Sequence, residues 1–222
     1  MNNSVTNTAR LLGAGLRALL VLTLVTGVIY PLVVTGIAQG LFNDKANGSE
    51  IEADGKVVGS SLIGQSYDLP LKKGQDTPDP DLKWFQGRPA GGLGENSINT
   101  QYKLILSGAT NLSADNKDLV QQVEDAKAAV VKDNSVPGYT VNSSEIPADA
   151  VTSSGSGLDP AISPKYAELQ VHRVAAKNGL PVGRVEQLVE DHTQGRTLGF
   201  MGEPRVNVLE LNIALKDLAS AR

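Results

Sequence analysis

The sequence predicts an α+β (mixed α/β) domain, extracytoplasmic and anchored by one N-terminal transmembrane helix. Three observations predict it. Residues 18–43, ALLVLTLVTGVIYPLVVTGIAQGLFN, contain no charged side chain. Beyond them, apolar residues recur at helical spacing in some stretches and at strand spacing in others, without a regular βαβ repeat. The whole chain carries a formal charge of −4 and no cysteine, which excludes disulfides, thiolate chemistry and cysteine-held metals and gives no basic patch for nucleic acid.

At ~1.5 Å per residue the apolar run makes roughly 39 Å of helix, more than the ~30 Å hydrocarbon core of a bilayer. A cleaved signal peptide has a shorter apolar run and ends at a small-x-small site. None stands here, so the expected organisation is a cytoplasmic tail over residues 1–17, a transmembrane helix over 18–42 and one globular domain over 43–222. Arg10 and Arg17 precede the span, and Lys45 and Lys56 follow it, so the cation count is a tie. The short tail and the free amine set the expected orientation, with the N-terminus in the cytoplasm and the large domain outside. Gly27 and Pro31 are costly in a soluble helix but tolerated in a membrane against a neighbouring helix. Gly27, Tyr30, Pro31 and Gly36 are therefore candidate packing positions for a partner span. The alternative is that Gly and Pro are simply commoner in membrane helices.

Past the span, Ile51 and Val57–Val58 suit short strands, with Gly48, Gly55, Gly59 and Gly64 at turns or close backbone approaches. Residues 68–82 are polar and Pro-rich and predict an exposed loop. Trp84 and Phe85 predict a core anchor beneath a loop. Residues 110–134 carry a helix with Ser113 as its N-cap and Leu119, Val123, Ala126 and Val130 on one face. Ser163 caps the next helix, Pro164 takes its first position and Gly179 ends it. Val185, Leu188 and Val189 face inward on a further helix that Gly195 stops. Residues 205–218 begin as a strand apolar on both faces, with Val206, Val208 and Glu210 alternating against Asn207, Leu209 and Leu211, which predicts a central position.

The stretch 151–164, VTSSGSGLDPAISP, looks like a reactive or phosphate-holding loop. It is not G-x-S-x-G, and neither a P-loop nor a dinucleotide fingerprint occurs. His172 and His192, the only histidines, both fall on predicted helices. The residues equally suit a shaped loop, in which Ser and Asp bond nearby amides and Pro160 and Pro164 fix the chain. On residues alone, a tethered hydrolase using Ser154 or Ser156 and a binding module with Trp84 and Arg88 in its pocket both stay open.

Seven blocks carry a resemblance that runs nearly end to end: YPLVVTGIAQGLF (30–42), ANGS (46–49), VVGSSLIGQSY (57–67), WFQGRPA (84–90), LSGATNLSADN (106–116), VTSSGSGLDPAISP (151–164) and GEPRVNVLELNIAL (202–215). In these the chain resembles the C-subunit family of Kdp-type potassium-transporting ATPases. It departs from the family at Ala109 and Thr110 and at Ala161, where a histidine is frequent, and its 68–82 loop is longer. The resemblance implies a non-catalytic, single-span subunit of a plasma-membrane complex. Its implied partners are a P-type ATPase subunit, a potassium-channel-like subunit and a small single-span subunit. It also implies a catalytic chaperone that raises the ATP affinity of the ATPase subunit. ATP and K⁺ are then handled by the complex, with no cofactor or metal assigned to this chain. An outer domain would act on ATP by remote coupling. Arg88, Asn111 and Asp159, each in a matched block and a turn, are candidates for anchoring a partner or, alternatively, their own loops.

Overall fold

The computed structural model describes residues 2–75, 77–91, 94–95 and 105–221, which fall into two compact units, 1–50 and 51–222. The first unit is helical. Helix α1 (Asn2–Leu24) passes through a π-helical turn at Val25–Ile29 into α2 (Tyr30–Leu41), and a short α3 (Asn43–Ala46) follows. Ser4–Leu41 is one helix long and apolar enough to cross a membrane by length and composition. Residues 2–17, expected as a tail, are helical. The π turn has a local cause. Pro31 has no N–H to give the carbonyl four residues back, and its ring crowds that carbonyl. Widening the preceding turn relieves both effects, and the Tyr30 N–H bonds the Val25 carbonyl five residues back. Thr26 Oγ1 donates to the Leu22 carbonyl at 2.7 Å on the same turn.

Among the described residues, the second unit mixes helices with three small sheets. Strands β1 (Glu50–Ala53) and β2 (Lys56–Ser60) pair across Asp54-Gly55, both at positive φ, which matches the right-handed twist of a tight hairpin. β3 (Gly94–Glu95) and β4 (Ile105–Leu106) pair antiparallel. Helix α4 spans Lys117–Asn134, and its N-cap is Asn116, three residues after the expected Ser113. Asn116 Oδ1 accepts from the amides of Asp118 (2.8 Å) and Leu119 (3.2 Å), while Ser113 donates to Asp115 instead.

Helix α5 (Pro164–Asn178) follows the predicted punctuation: Ser163 Oγ accepts from the Tyr166 amide at 3.1 Å and Gly179 ends it at φ 60. Helix α6 (Val182–Asp191) buries Val185 and Val189, and it ends at His192, ahead of the expected stop at Gly195. Strands β5 (Ala161–Ile162), β6 (Thr193–Gln194) and β7 (Arg205–Asn207) form an antiparallel sheet in the order β5-β7-β6, so β7 is central as expected. The strand is shorter than the apolar run predicts. Asn207 Oδ1 caps the amides of Leu209 (3.1 Å) and Glu210 (3.2 Å), and Val208–Ser220 becomes helix α7. The alternation expected through Glu210 therefore gives way to helical spacing, with Val208, Leu211 and Leu215 buried on one face. These join Phe85, Val171, Val174, Val185 and Val206 in the core. Burying one such side chain contributes about 1.5–3 kcal/mol.

Candidate functional site

Residues 81–91 run along the core, burying Phe85, without a strand partner, so the backbone there must find other hydrogen bonds. Side chains supply them. The Phe85 ring is fully buried. Asn212 on α7 accepts from the Phe85 N–H and donates to the Phe85 carbonyl, both at 2.9 Å. Gln170 on α5 repeats the arrangement one residue on, accepting from the Gln86 N–H at 2.7 Å and donating to its carbonyl at 3.0 Å. Two carboxamides thus stand in for a neighbouring strand. Arg173 on α5 completes the clamp. Its Nη1 donates to the carbonyls of Leu82 (2.5 Å) and Trp84 (2.9 Å), its Nε to Asn134 Oδ1 (2.8 Å) and its Nη2 to Gln170 Oε1 (2.6 Å). Burial pulls the Arg173 pKa down to about 10, so the group is still a cation at neutral pH.

A cleft of about 700 Å³ opens beside this clamp, between α4, α5, the turn at 63–66 and the 86–90 loop. Gln86, Arg88, Asp133, Asp159, Tyr166 and Arg173 line it. Arg88 Nη1 pairs with Asp159 Oδ2 at 3.1 Å, and Nη2 reaches the carbonyls of Thr152 and Ser153 at 3.4 Å. Its Nε is buried with no partner among the described residues. Burial pushes the Tyr166 phenol up to about 12, so it stays a neutral donor.

The 151–164 stretch forms the wall under Arg88 and is committed to its own backbone. Ser154 Oγ accepts from the Gly157 amide (2.9 Å), Ser156 Oγ from the Leu158 amide (3.1 Å) and Asp159 Oδ1 from the Ala161 amide (3.2 Å). Gly64 lies against it: its N–H bonds the Leu158 carbonyl at 2.8 Å, and a Cβ there would sit 2.5 Å from the Asp159 carbonyl oxygen. His172 stacks on Tyr139 at 3.8 Å, and His192 Nδ1 lies 2.8 Å from the Leu188 carbonyl. Among the described residues no hydrogen bond joins either histidine to Ser154 or Ser156, and no cluster with metal-ligating composition occurs. The arrangement is suited to polar recognition.

Of the residues singled out in the sequence, the structure brings Arg88 and Asp159 together. Asn111 stands apart: it is exposed, at φ 52, with Nδ2 on the Ala109 carbonyl at 3.3 Å. In the first unit, Gly27, Tyr30 and Pro31 fall within one face. Gly36, five residues after Pro31, lies about 140° further round at 100° per residue. The clamp residues Gln170, Arg173 and Asn212 were not singled out. Their signal is a polar side chain inside an apolar helical stripe: Asn212 sits between Leu211 and Leu215, and Gln170 beside Leu169 and Val171.

Comparison with known proteins finds similar sequences along nearly the whole chain. The family model described as "KdpC: K+-transporting ATPase, c chain" matches residues 12–217. A Streptomyces avermitilis protein named potassium-transporting ATPase KdpC subunit is 76% identical over 220 residues, covering 99% of each chain. Proteins of the same name from Caldanaerobacter subterraneus (47% identical, 88% of this chain and 89% of the relative) and Mycobacterium bovis (43%, 91% and 96%) are also similar. The chain belongs to the KdpC family of K⁺-transporting ATPase c chains.

Proposed function

We propose that this chain is the accessory, non-catalytic subunit of a high-affinity, ATP-driven potassium uptake complex. In this reading residues 18–42 cross the plasma membrane, residues 1–17 lie in the cytoplasm and residues 43–222 lie outside. The observation that carries it is the family match from residue 12 to 217, across both the apolar helix and the folded unit. The partners are a P-type ATPase subunit, a potassium-channel-like subunit and a small single-span subunit. Gly27, Tyr30 and Pro31 pack on one partner helix, and Gly36 serves a second face. Arg88 and Asp159 hold a loop surface that a partner contacts, with Asn111 on a separate turn.

The chain raises the ATP affinity of the ATPase subunit across the membrane, by a coupling between two sites. Such coupling is reciprocal and spans about 5–150-fold in affinity. If the subunit tightens ATP by a given factor, ATP tightens the subunit in the complex by the same factor. The test is equilibrium binding of a non-hydrolysable ATP analogue to the pump purified with and without this chain, together with the Kd of the chain for the rest of the complex at zero and saturating analogue. The reading expects both to shift in step. An assembly whose ATP dependence and subunit retention ignore each other overturns the coupling. Protease added outside sealed cells should remove the folded unit; full protection overturns the orientation.

A further inference from the structure

The π turn at Val25–Ile29 leaves a backbone acceptor open in the middle of the apolar helix. An α-helical carbonyl bonds the N–H four residues on, and a π-helical carbonyl the N–H five residues on. For the Thr26 carbonyl those positions are Tyr30 and Pro31. The Tyr30 N–H is given to Val25, and Pro31 has none to give. The Thr26 hydroxyl is turned the other way, donating to the Leu22 carbonyl at 2.7 Å. Among the described residues no other side chain donates to the Thr26 carbonyl. Gly27 leaves the group uncovered. A Cβ there would meet nothing of this chain nearer than Thr23 Cγ2 at 4.0 Å, so the chain's own packing does not require the glycine.

Depth makes the open carbonyl costly. Arg17 and Asp44 are the charged residues that bracket the apolar run, and Tyr30 lies midway between them. At ~1.5 Å per residue Tyr30 is roughly 20 Å from each, at the centre of a ~30 Å hydrocarbon layer where no water can bond a carbonyl. Tyr30 brings a second unmet group to this level. Its side chain is 66% exposed, and its hydroxyl bonds nothing among the described residues. Tyrosines of membrane helices ordinarily sit at the headgroup level, where water meets the hydroxyl. Lipid chains offer neither donor nor acceptor to this face, whereas a polar side chain on a neighbouring helix offers both. We infer that the face formed by Thr26, Gly27 and Tyr30 docks one transmembrane helix of another subunit, which places a neutral carboxamide or hydroxyl side chain on the Thr26 carbonyl. Such a group donates to the carbonyl and can accept from the Tyr30 hydroxyl. This rests on the subunit reading above and names the chemistry of that helix contact.

The sequence supplies its own probe. Thr–Gly peptide bonds occur only at 26–27 and 35–36. Threonine labelled with ¹³C at the carbonyl and glycine labelled with ¹⁵N therefore select the Thr26 and Thr35 carbonyls in a solid-state NMR correlation. Thr35 lies within α2, with Gln39 four residues on, and serves as the internal standard. The labelled whole chain is compared alone in bilayers and assembled with unlabelled partner subunits. Assembly is expected to move the Thr26 signal to higher frequency, the direction in which hydrogen bonding moves a carbonyl, and to leave Thr35 in place. Recovery of the tagged chain without any partner subunit overturns the subunit reading and this inference together. With partners present, three results overturn the inference alone: an unmoved Thr26 signal, a signal already at the bonded frequency in the isolated chain, or one fed by polarisation from water. Pro31→Ala provides a second arm. It restores regular helical spacing, returns the Tyr30 N–H to Thr26, and should hold the Thr26 signal at the bonded frequency before and after assembly. A full assembly shift in Pro31→Ala refutes the open carbonyl as the docking feature.

Discussion

Asn212→Ala tests the clamp most directly. The wild-type side chain is 2% exposed and makes both backbone hydrogen bonds of Phe85 at 2.9 Å. Truncation leaves one N–H and one C=O unpaired beside the fully buried Phe85 side chain. Each orphaned group costs about 1–3 kcal/mol, so the substitution should destabilise the second unit by about 2–6 kcal/mol. For a unit of this size each kcal/mol lowers Tm by about 2–4 °C, which puts the central expectation near a 10 °C fall. The only tryptophan, Trp84, precedes Phe85, so intrinsic fluorescence reports the loop itself during thermal unfolding of the full chain in detergent. Gln170→Ala should behave similarly. Because the two carboxamides hold adjacent residues, the double variant should lose less than the sum of the singles, by about 0.5–3 kcal/mol. A melt for Asn212→Ala within about 2 °C of wild type, or strict additivity in the pair, would refute the idea that these groups act as a substitute strand.

Three further outcomes are expected. Gly64→Ala should cost about 1–3 kcal/mol in the same melt, because its Cβ would meet the Asp159 carbonyl oxygen at 2.5 Å and the 151–164 wall must shift; an unchanged melt would show that the wall gives way freely. Tyr166 is raised by burial from 10.0 to about 12, so its stabilising contribution is complete below pH 10 and lost as pH climbs through 12. Relative to Tyr166→Phe, the wild-type chain should therefore lose stability across that window, by on the order of 2 kcal/mol, and parallel curves would contradict the burial. Gly27→Leu should release the chain from its partners on gentle solubilisation while the Trp84 melt stays at its wild-type temperature; full retention would remove Gly27 from the packing face.

The sequence marks ends and faces better than it marks lengths. Ser163, Pro164 and Gly179 delimit α5 because each acts on its own backbone. Val185 and Val189 reveal a buried face because periodicity is local. The strand at 205 was readable as central, but its end was not. Asn207 reads as one position of a strand until its side chain is seen to cap the next helix, with Nδ2 reaching the Ser61 carbonyl across 146 residues of sequence. Both Asn116 and Ser113 are good caps, but Ser113 spends its hydroxyl on Asp115 while Asn116 takes the first amides of α4. The Arg88–Asp159 pair lay within reach of inspection only as two separate turn residues. Gln170 and Arg173 were hidden because their partners are main-chain atoms of a distant loop, which leave no trace in side-chain patterns. The π turn left no mark in the sequence beyond Pro31 itself, read there only as a costly helix residue.

The clamp around Phe85 is built from carboxamides and one guanidinium bonded to neutral oxygens, with no carboxylate among its direct partners. Dissolved ions weaken exposed pairs such as Lys72–Asp79, two-thirds and one-half open to water, far more than buried hydrogen bonds, including those from the Arg173 cation to neutral oxygens. The fastening of this loop therefore depends only weakly on how much electrolyte bathes it. A potassium-transport subunit whose central joint responds little to ionic strength keeps its shape in both scarcity and plenty of potassium.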